Sequence, residues 1–378
     1  MNTDLTAFSV VIPTFGRQPY VAALLASLQV ARAHYKGPTE VIVVDSTPSP
    51  GFQVIAEACA LLDARYFPGQ QSVRWKRNFG VEQARFPVIL FIDSDCEVGL
   101  EIFQAHHEVY AAPPPKLGGV YGVTHFTGQR TFLWRVLELT SFIDVFTFAE
   151  RYPYVQWAIG NNISYYREVF LRVGGFDDTF PFRLGGDDLD LGLRISSAGY
   201  LIKTAPKAQT THTRDTWNSV QAIWDRAQRW GRMEYYITIK HSWLLRRDLP
   251  RQLPLFLLLG LYSTAMAIGT RQPIHLVLPP LWAMVAFGLR LGFNRAAGQR
   301  PHLLFYCLAQ IPAVIYQLNT GYEFLRHGRL DWFWKHSIFS TYQMQAEWPG
   351  EVRRLWASWL ALWIVLVLEA VWFGRLGN

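Results

Sequence analysis

Beyond Pro250 the chain carries four apolar stretches, at about Leu253–Thr270, Ile274–Phe293, Leu303–Thr320 and Trp356–Phe373. Each approaches the roughly 20 residues that a helix needs to cross a hydrocarbon core of ~30 Å. That restricts this part of the chain to helices, because backbone N–H and C=O groups in lipid have to be satisfied within the segment itself. The third stretch stands apart. It contains Gln310, Pro312, Gln317 and Asn319, while Leu304, Leu308, Ile311, Ile315 and Leu318 recur at helical spacing. Such an amphipathic segment suits the membrane surface. If all four stretches crossed, the Arg326–Arg354 loop with Arg329, Lys335 and Arg353 would lie outside, against the positive-inside rule. The expectation is three crossings plus one helix lying in the interface.

The first 250 residues read differently, because charges are spread through them. Overall 17% of residues are charged and half are hydrophobic, with a net charge of +7. This balance excludes a disordered chain, and three scattered cysteines, Cys59, Cys96 and Cys307, exclude a disulfide scaffold or a spaced metal knuckle. Much of the basic excess sits beside apolar segments, at Arg246, Arg247, Arg251, Arg290, Arg295 and Arg300. No Lys/Arg run interleaved with aromatics forms a nucleic-acid stripe, so membrane lipids are the expected partners of this charge and nucleic acid is not. The start, MNTDLTAF, lacks a basic n-region and runs straight into a strand-like segment, so the first half is expected to stay in the cytosol.

Within that half, continuous apolar runs alternate with helical patterns. Strands are expected at Phe8–Pro13, Glu40–Asp45, Ala64–Phe67 and Pro87–Asp93, with helices at Tyr20–Ala33, Phe52–Leu62 and Ser72–Ala84 between them. Strands that are apolar throughout imply a mostly parallel sheet covered on both faces, an α/β fold whose ligands bind beyond the carboxyl ends of the strands. Asp45 and Asp93 both fall at such ends. From Leu117 to Tyr166 the signals are shorter and mixed: GGVYGVTHF looks like a strand, Phe132–Ala149 reads as an amphipathic aromatic helix, and VQWAIGNNISYYR as strand, tight turn, strand. Helices are expected at Asp187–Ala198 and Thr216–Ile239. The domain organisation that follows is residues 1–240 as a cytosolic α/β domain and 241–378 as a membrane domain with three or four transmembrane or interfacial helices.

Three constellations can carry chemistry. Asp93-Ser94-Asp95 leaves a strand end with two carboxylates at spacing two, which can both turn towards one hard cation such as Mg2+ or Mn2+; the bland reading is a strand-end turn with Asp as a helix cap. Asp187, Asp188 and Asp190 crowd one helix entrance after Gly185-Gly186, where like charges raise at least one pKa, as a general base requires. The alternative is an acidic first turn completing a helix dipole, with Asp190 paired to Arg194. Arg226 and Arg229, one turn apart beside Trp230, can meet a diphosphate or simply face solvent and lipid headgroups. Asp45 can accept from a nucleobase or cap a helix, Arg77 can steer an anion, and His212 can be a third metal ligand or a structural histidine. No H-E-x-x-H, G-x-S-x-G, P-loop or dinucleotide fingerprint is present.

Taken in order, Val10-Val11-Ile12-Pro13-Thr14-Phe15, Val43-Val44-Asp45-Ser46, Arg77-Asn78-Phe79-Gly80, Asp93-Ser94-Asp95, Gly174-Gly175-Phe176-Asp177 and Gly186-Asp187-Asp188-Leu189-Asp190-Leu191 resemble the family 2 glycosyltransferases with a GT-A fold, over about residues 8–240. The resemblance implies transfer of a sugar from a nucleotide-sugar donor with inversion, to a lipid-linked or membrane-associated acceptor, at the inner (cytoplasmic) membrane. It implies that Pro13, Thr14, Arg17, Asp45, Arg77, Asp93 and Ser94 surround the nucleotide sugar. It implies that Asp95, with Asp93 and His212, ligates Mg2+ or Mn2+. Asp188 corresponds to the catalytic base of a Glu-Asp pair, here Asp187-Asp188. Asp190, Trp157, Asn161, Arg226, Arg229 and Trp230 are assigned to the acceptor or diphosphate side. Arg226-x-x-Arg229-Trp230 is similar to the Gln-x-x-Arg-Trp motif of polysaccharide synthases, with Arg in place of Gln, and Ser46 replaces the second Asp usual after the second strand. A polyprenyl-phosphate sugar synthase, a processive polysaccharide synthase and a catalytically silent membrane scaffold are the competing readings.

Overall fold

The computed structural model describes residues 5–181, 184–243, 246–247, 251–334, 336–337 and 349–376. They divide into two compact units, the first ending at Met233 and the second beginning at Glu234.

The first unit opens as the apolar runs require: β1 (Phe8–Thr14), α1 (Gln18–Tyr35), β2 (Thr39–Asp45), α2 (Gly51–Leu61), β3 (Arg65–Pro68), α3 (Val73–Gln83) and β4 (Val88–Phe91). β1 lies parallel to both β2 and β4, and β2 parallel to β3. Phe8, Val10, Ile12, Val41, Val43, Val88 and Leu90 are buried against Val21, Leu24, Leu25 and Leu28 of α1, a face-on burial that contributes roughly 1.5–3 kcal/mol per large side chain. Then follow β5 (Cys96–Val98), α4 (Ile102–Ala111), β6 (Leu117–Thr127), α5 (Phe132–Leu137), α6 (Phe148–Arg151), β7 (Tyr154–Val155), β8 (Ile163–Tyr166), α7 (Arg167–Arg172), α8 (Asp187–Ser197), β9 (Leu201–Thr213) and α9 (Val220–Lys240), the last running on into the second unit. Among the described residues one nine-stranded sheet forms in the order β3-β2-β1-β4-β8-β6-β9-β5, with β7 on β9. β8 is antiparallel to both β4 and β6, and β6 is parallel to β9. The register brings Thr14 beside Asp45 and Asp45 beside Pro68, so the carboxyl ends of β1, β2 and β3 finish level.

Several expected elements differ. The single helix over Phe132–Ala149 is broken into α5, a 3-10 turn at Asp144–Thr147 and α6. The break falls where Thr140 Oγ1 donates to the Leu137 carbonyl and accepts from Phe142 N, a local alternative to helix bonding. The expected strand–turn–strand over VQWAIGNNISYYR is no hairpin, because β7 pairs with β9 and β8 with β4 and β6. β5, α4, α7 and the 13-residue β9 have no counterpart in the expectation. α9 starts at Val220 rather than Thr216, because Trp217 N and Asn218 N donate back to the Arg214 carbonyl and form a turn.

The second unit continues with α10 (Gln252–Thr270), α11 (Leu278–Ala296), α12 (Leu303–Leu308), α13 (Gln310–Arg326) and α14 (Pro349–Leu376). Four helical stretches among the described residues, Gln252–Thr270, Pro273–Ala296, Leu303–Arg326 and Leu355–Trp372, are long and apolar enough to cross a membrane. Its apolar core joins Leu255 and Leu259 of α10, Leu278, Trp282 and Ala286 of α11, and Ala361 and Val365 of α14.

Candidate active site

The site lies in the first unit, where β1, β2 and β4 end. Asp45, at the last position of β2, is 1% exposed and fully engaged. Its Oδ1 accepts from Thr47 N and Thr47 Oγ1 at 2.8 and 2.5 Å, and its Oδ2 from the Tyr66 hydroxyl at 3.1 Å. Thr47 Oγ1 in turn accepts from Gly16 N at 2.7 Å, tying the turn after β1 to the end of β2. Thr14 Oγ1 and Ser46 Oγ, both buried here, have no hydrogen-bond partner among the described residues. Beneath them Lys76 of α3, 1% exposed, donates from Nζ to the Thr14 carbonyl at 2.5 Å. Burial lowers its pKa to about 8, against the pull of the Asp45 charge.

Asp93 and Asp95 part company. Asp93 Oδ1 accepts from Arg77 Nη2 at 2.9 Å, and the same guanidinium donates from Nη1 to Asp187 Oδ2 at 2.9 Å. Arg77 is buried on α3 and bridges the end of β4 to the start of α8. Gly160 makes room for it, since a Cβ there would run into the guanidinium. Asp95, with 2% of its side chain exposed, faces elsewhere: Oδ2 lies 2.7 Å from Arg17 Nη1 and 3.4 Å from His212 Nε2. The expectation that both carboxylates turn to one cation is therefore not what the geometry gives. Among the described residues the group that can ligate a metal is Asp95, Cys96 and His212, with ligand atoms within 4.8 Å of one another, and Asp93 is held by Arg77 outside it. Ser94 between them is buried.

The Asp95–His212 pair suits a divalent ion. His212 Nδ1 lies 2.8 Å from the Thr213 carbonyl, which can only accept, so Nδ1 carries a hydrogen; Nε2, on the side of Asp95, is the ring nitrogen that could ligate an ion. Asp95 Oδ1 is buried with no hydrogen-bond partner among the described residues. A carboxylate and an imidazole lone pair that converge are a donor set for Mn2+ or Mg2+. Cys96, opposite His212 in the β5–β9 register, adds little: burial pushes its thiol well above the usual range, and a thiol is a poor ligand until deprotonated.

Asp188 opens α8 behind Gly185 and Gly186, which hold φ of +78° and +79°, a conformation that L side chains rarely adopt. The carboxylate is half-buried; Oδ1 accepts from Leu189 N at 2.9 Å and Oδ2 from Gly160 N at 3.3 Å. Burial, then the neighbouring Asp187 charge, pushes its pKa up to about 7, although Arg77 pulls the other way. Asp190 does not join this cluster. It is 0% exposed and paired at 2.9 Å with Arg194, which also donates to the Val173 and Gly175 carbonyls.

The remaining predicted positions spread around this centre. Asn161 is 1% exposed, with its Nδ2 lacking a partner among the described residues. Trp157 packs its backbone against Gly192 of α8. Pro13 is buried in β1. Arg226 lies over the Trp217 ring at 3.9 Å and donates to the Ala222 and Thr216 carbonyls, with burial lowering its pKa to about 10. Arg229 is exposed and donates to the Asp225 carbonyl. Trp230 packs edge-on against Phe142 and Trp217. Sequence reasoning missed Thr47, Tyr66, Arg74, Lys76 and Thr216. Only Lys76 carried a signal, a basic residue beside Arg77 on the helix face that Gly80 turns to β1.

The sequence profile of glycosyl transferase family 2 matches residues 9–174, and that of the N-terminal domain of galactosyltransferase matches residues 141–216. Residues 9–174 thus carry a glycosyl transferase family 2 domain. No curated protein sequence is significantly similar to the chain. Among solved structures, mannosyltransferase PcManGT from Pyrobaculum calidifontis, in complex with GDP-Man and Mn2+, is 17% identical with a TM-score of 0.53, covering 86% of this chain and 90% of its own. That likeness is one of fold, and the fold is GT-A. S. aureus TarS is 14% identical (TM-score 0.40; 62% of this chain, 44% of that one), and GalNAc-T7 with UDP, GalNAc and Mn2+ is 12% identical (TM-score 0.42; 63% and 51%).

Proposed function

We propose that this glycosyltransferase is membrane-anchored and inverting, and moves a sugar from a nucleotide-sugar donor to a lipid-linked or membrane-associated acceptor. Residues 1–240 form its catalytic part on the cytosolic side of the inner membrane and residues 241–378 its anchor. The observation that carries the reading is Asp188, a carboxylate raised to about 7 beside the Arg77-bridged Asp93 and Asp187. A base poised near neutral pH is what deprotonation of a sugar or lipid hydroxyl requires.

In this scheme Thr14, Ser46 and Asp45 line the nucleotide pocket, with Lys76 beneath them. Asp95 and His212 would hold Mg2+ or Mn2+, which would supply positive charge against that of the leaving diphosphate. Arg77 keeps Asp93 and Asp187 in place, and its charge limits how far the Asp188 pKa rises. Arg226 and Arg229 add positive charge on the diphosphate side, and Asn161 and Trp157 border the acceptor. The acceptor oxygen attacks the anomeric carbon opposite the leaving group. Its proton passes to Asp188, the new glycosidic C–O bond forms, and the bond to the nucleoside diphosphate breaks with its electron pair on the phosphate oxygen. The configuration inverts because a single displacement occurs.

The test uses purified membranes, a panel of nucleotide sugars and Mn2+ or Mg2+. One donor should release its nucleoside diphosphate, and Asp188→Asn should lose that release while keeping donor binding. Release unchanged in the variant would remove Asp188 as the base; release from no donor would remove the enzymatic reading itself.

A further inference from the structure

We propose that Arg17 is the resident cation of the Asp95 pocket, yielding to a divalent ion when a nucleotide diphosphate offers it another anion, so that metal and nucleotide bind interdependently. The inference rests on the nucleotide-sugar reading above.

Arg17 stands at the turn between β1 and α1. It makes no side-chain cap to α1, so its guanidinium is not needed to start the helix. The contact it does make is with a buried acid of the site: Nη1 lies 2.7 Å from Asp95 Oδ2, although 38% of the Arg17 side chain is exposed against 2% of Asp95. A long, half-exposed side chain thus reaches in from solvent to neutralise a sequestered carboxylate. The other groups at Oδ2 are His212 Nε2 and Thr216 Oγ1, each at 3.4 Å. Neither is a permanent cation: Thr216 is neutral, and an imidazole is charged only when protonated, whereas the guanidinium always is.

A divalent ion held by Asp95 and His212 would share Asp95 with that guanidinium. Two cations on one carboxylate repel strongly where water is scarce, so the arginine is a competitor for the ion. Its retreat is cheap only if another anion receives it. A diphosphate is such an anion, because it takes a guanidinium in a two-pronged, charge-assisted contact. The turn that carries Arg17 is also fastened to the nucleotide side: Gly16 N donates to Thr47 Oγ1, and Thr47 is held by Asp45. Swinging the side chain therefore leaves its base anchored beside the pocket where the nucleotide sits. By linkage, what nucleotide does for metal affinity, metal does equally for nucleotide affinity.

The experiment titrates Mn2+ into the purified full-length protein and reads free Mn2+ by electron paramagnetic resonance, alone and with GDP or UDP. In the wild type, Mn2+ alone binds weakly and the nucleotide tightens it by about 10-fold or more. In Arg17→Gln, Mn2+ alone binds about 5–10-fold more tightly than in the wild type, and the nucleotide adds only a few-fold. Arg17→Lys keeps the charge and lies between the two, and Asp95→Asn removes Mn2+ binding throughout. Thermal melts confirm folding of each variant. Mn2+ alone binding Arg17→Gln no more tightly than the wild type, with nucleotide binding intact, would overturn the role of Arg17 and leave the donor reading standing. Absence of Mn2+ binding to every protein, with and without nucleotide, would overturn both the metal reading and this inference.

Discussion

Asp188 shows how much one side chain's surroundings can decide. A carboxylate raised to about 7 by burial and by Asp187 holds its proton in the native state over a range where the unfolded chain has lost it. The unfolded value is about 4, so the native state binds the extra proton between about pH 4 and 7, and stability falls as pH rises through that window. Asp188→Asn is therefore expected to be more stable than the wild type at pH 8, by something on the order of 1–4 kcal/mol, with the gain vanishing towards pH 4. Chemical denaturation at the two pH values measures this. The same ionisation governs turnover. kcat/KM should fall below an acid limb near pH 7, and Asp188→Asn should lower it about 10²–10⁴-fold with the limb gone. A limb that survives in Asp188→Asn would assign it to another group.

At the scale of elements, α3 is what assembles the site. Arg74 donates to the Phe180 carbonyl at 2.7 Å and to the Asp177 and Pro181 carbonyls at 3.3 Å; Asn78 both donates to the Phe176 carbonyl and accepts from Phe176 N; Arg77 holds Asp187. One helix thus grips Phe176–Pro181 and Asp187, next to Asp188. Asn78→Ala leaves the Phe176 backbone pair unsatisfied and is expected to cost about 1–3 kcal/mol. It should also raise hydrogen exchange over residues 174–181 and lower kcat/KM with little change in donor affinity, which separates positioning from contact. Equal losses in donor affinity and turnover would place Asn78 in donor binding instead. The motif Arg77-Asn78-Phe79-Gly80 was legible in the sequence, yet its reach to a loop nearly 100 residues away was not. The same contrast runs through the fold. β1, β2 and β4 could be read because each is buried on both faces and spells a continuous apolar run. β9, LIKTAPKAQTTHT, could not, because its polar residues are used by neighbours, as when Thr210 bonds Thr124 and His212 approaches Asp95. α4 escaped for a related reason: its inward face carries His106, bonded to Asn162 and Ser164, where a periodic pattern needs an apolar residue. In the site, Asp93-Ser94-Asp95 announced two carboxylates but not that Arg77 and Arg17 would draw them apart.

For the molecule as a whole, the number of crossings decides on which side the loop after α13 lies. Length and hydropathy admit four, but packing within the membrane unit separates three of them from the fourth. Among the described residues the apolar core joins α10, α11 and α14. α13 instead sends Phe324 to Tyr235 and Trp332, and its polar residues find partners near the start of α10. Gln310 accepts from Arg290, which also bonds Gln252; Gln317 accepts from Leu253 N; Thr320 donates to Glu234, which pairs with Arg251; and Glu323 accepts from the Tyr236 hydroxyl at 2.7 Å. Gln310 to Glu323 spans about 20 Å of helix at 1.5 Å per residue. A segment that keeps contact with the first turn of α10, or with the chain just before it, over that distance runs across one end of the bundle rather than through it. Polar groups at that level can reach headgroups and water, whereas in a crossing they would meet hydrocarbon. The expected topology is three crossings, with α12 and α13 in the interface and Leu330, 59% exposed, on the same side as the start of α10. In a Cys307→Ser background, Leu330→Cys should react with a membrane-impermeant maleimide in inside-out vesicles and not in intact cells. Labelling from the outside would mean that the third stretch crosses, and that the basic loop overrides the positive-inside rule.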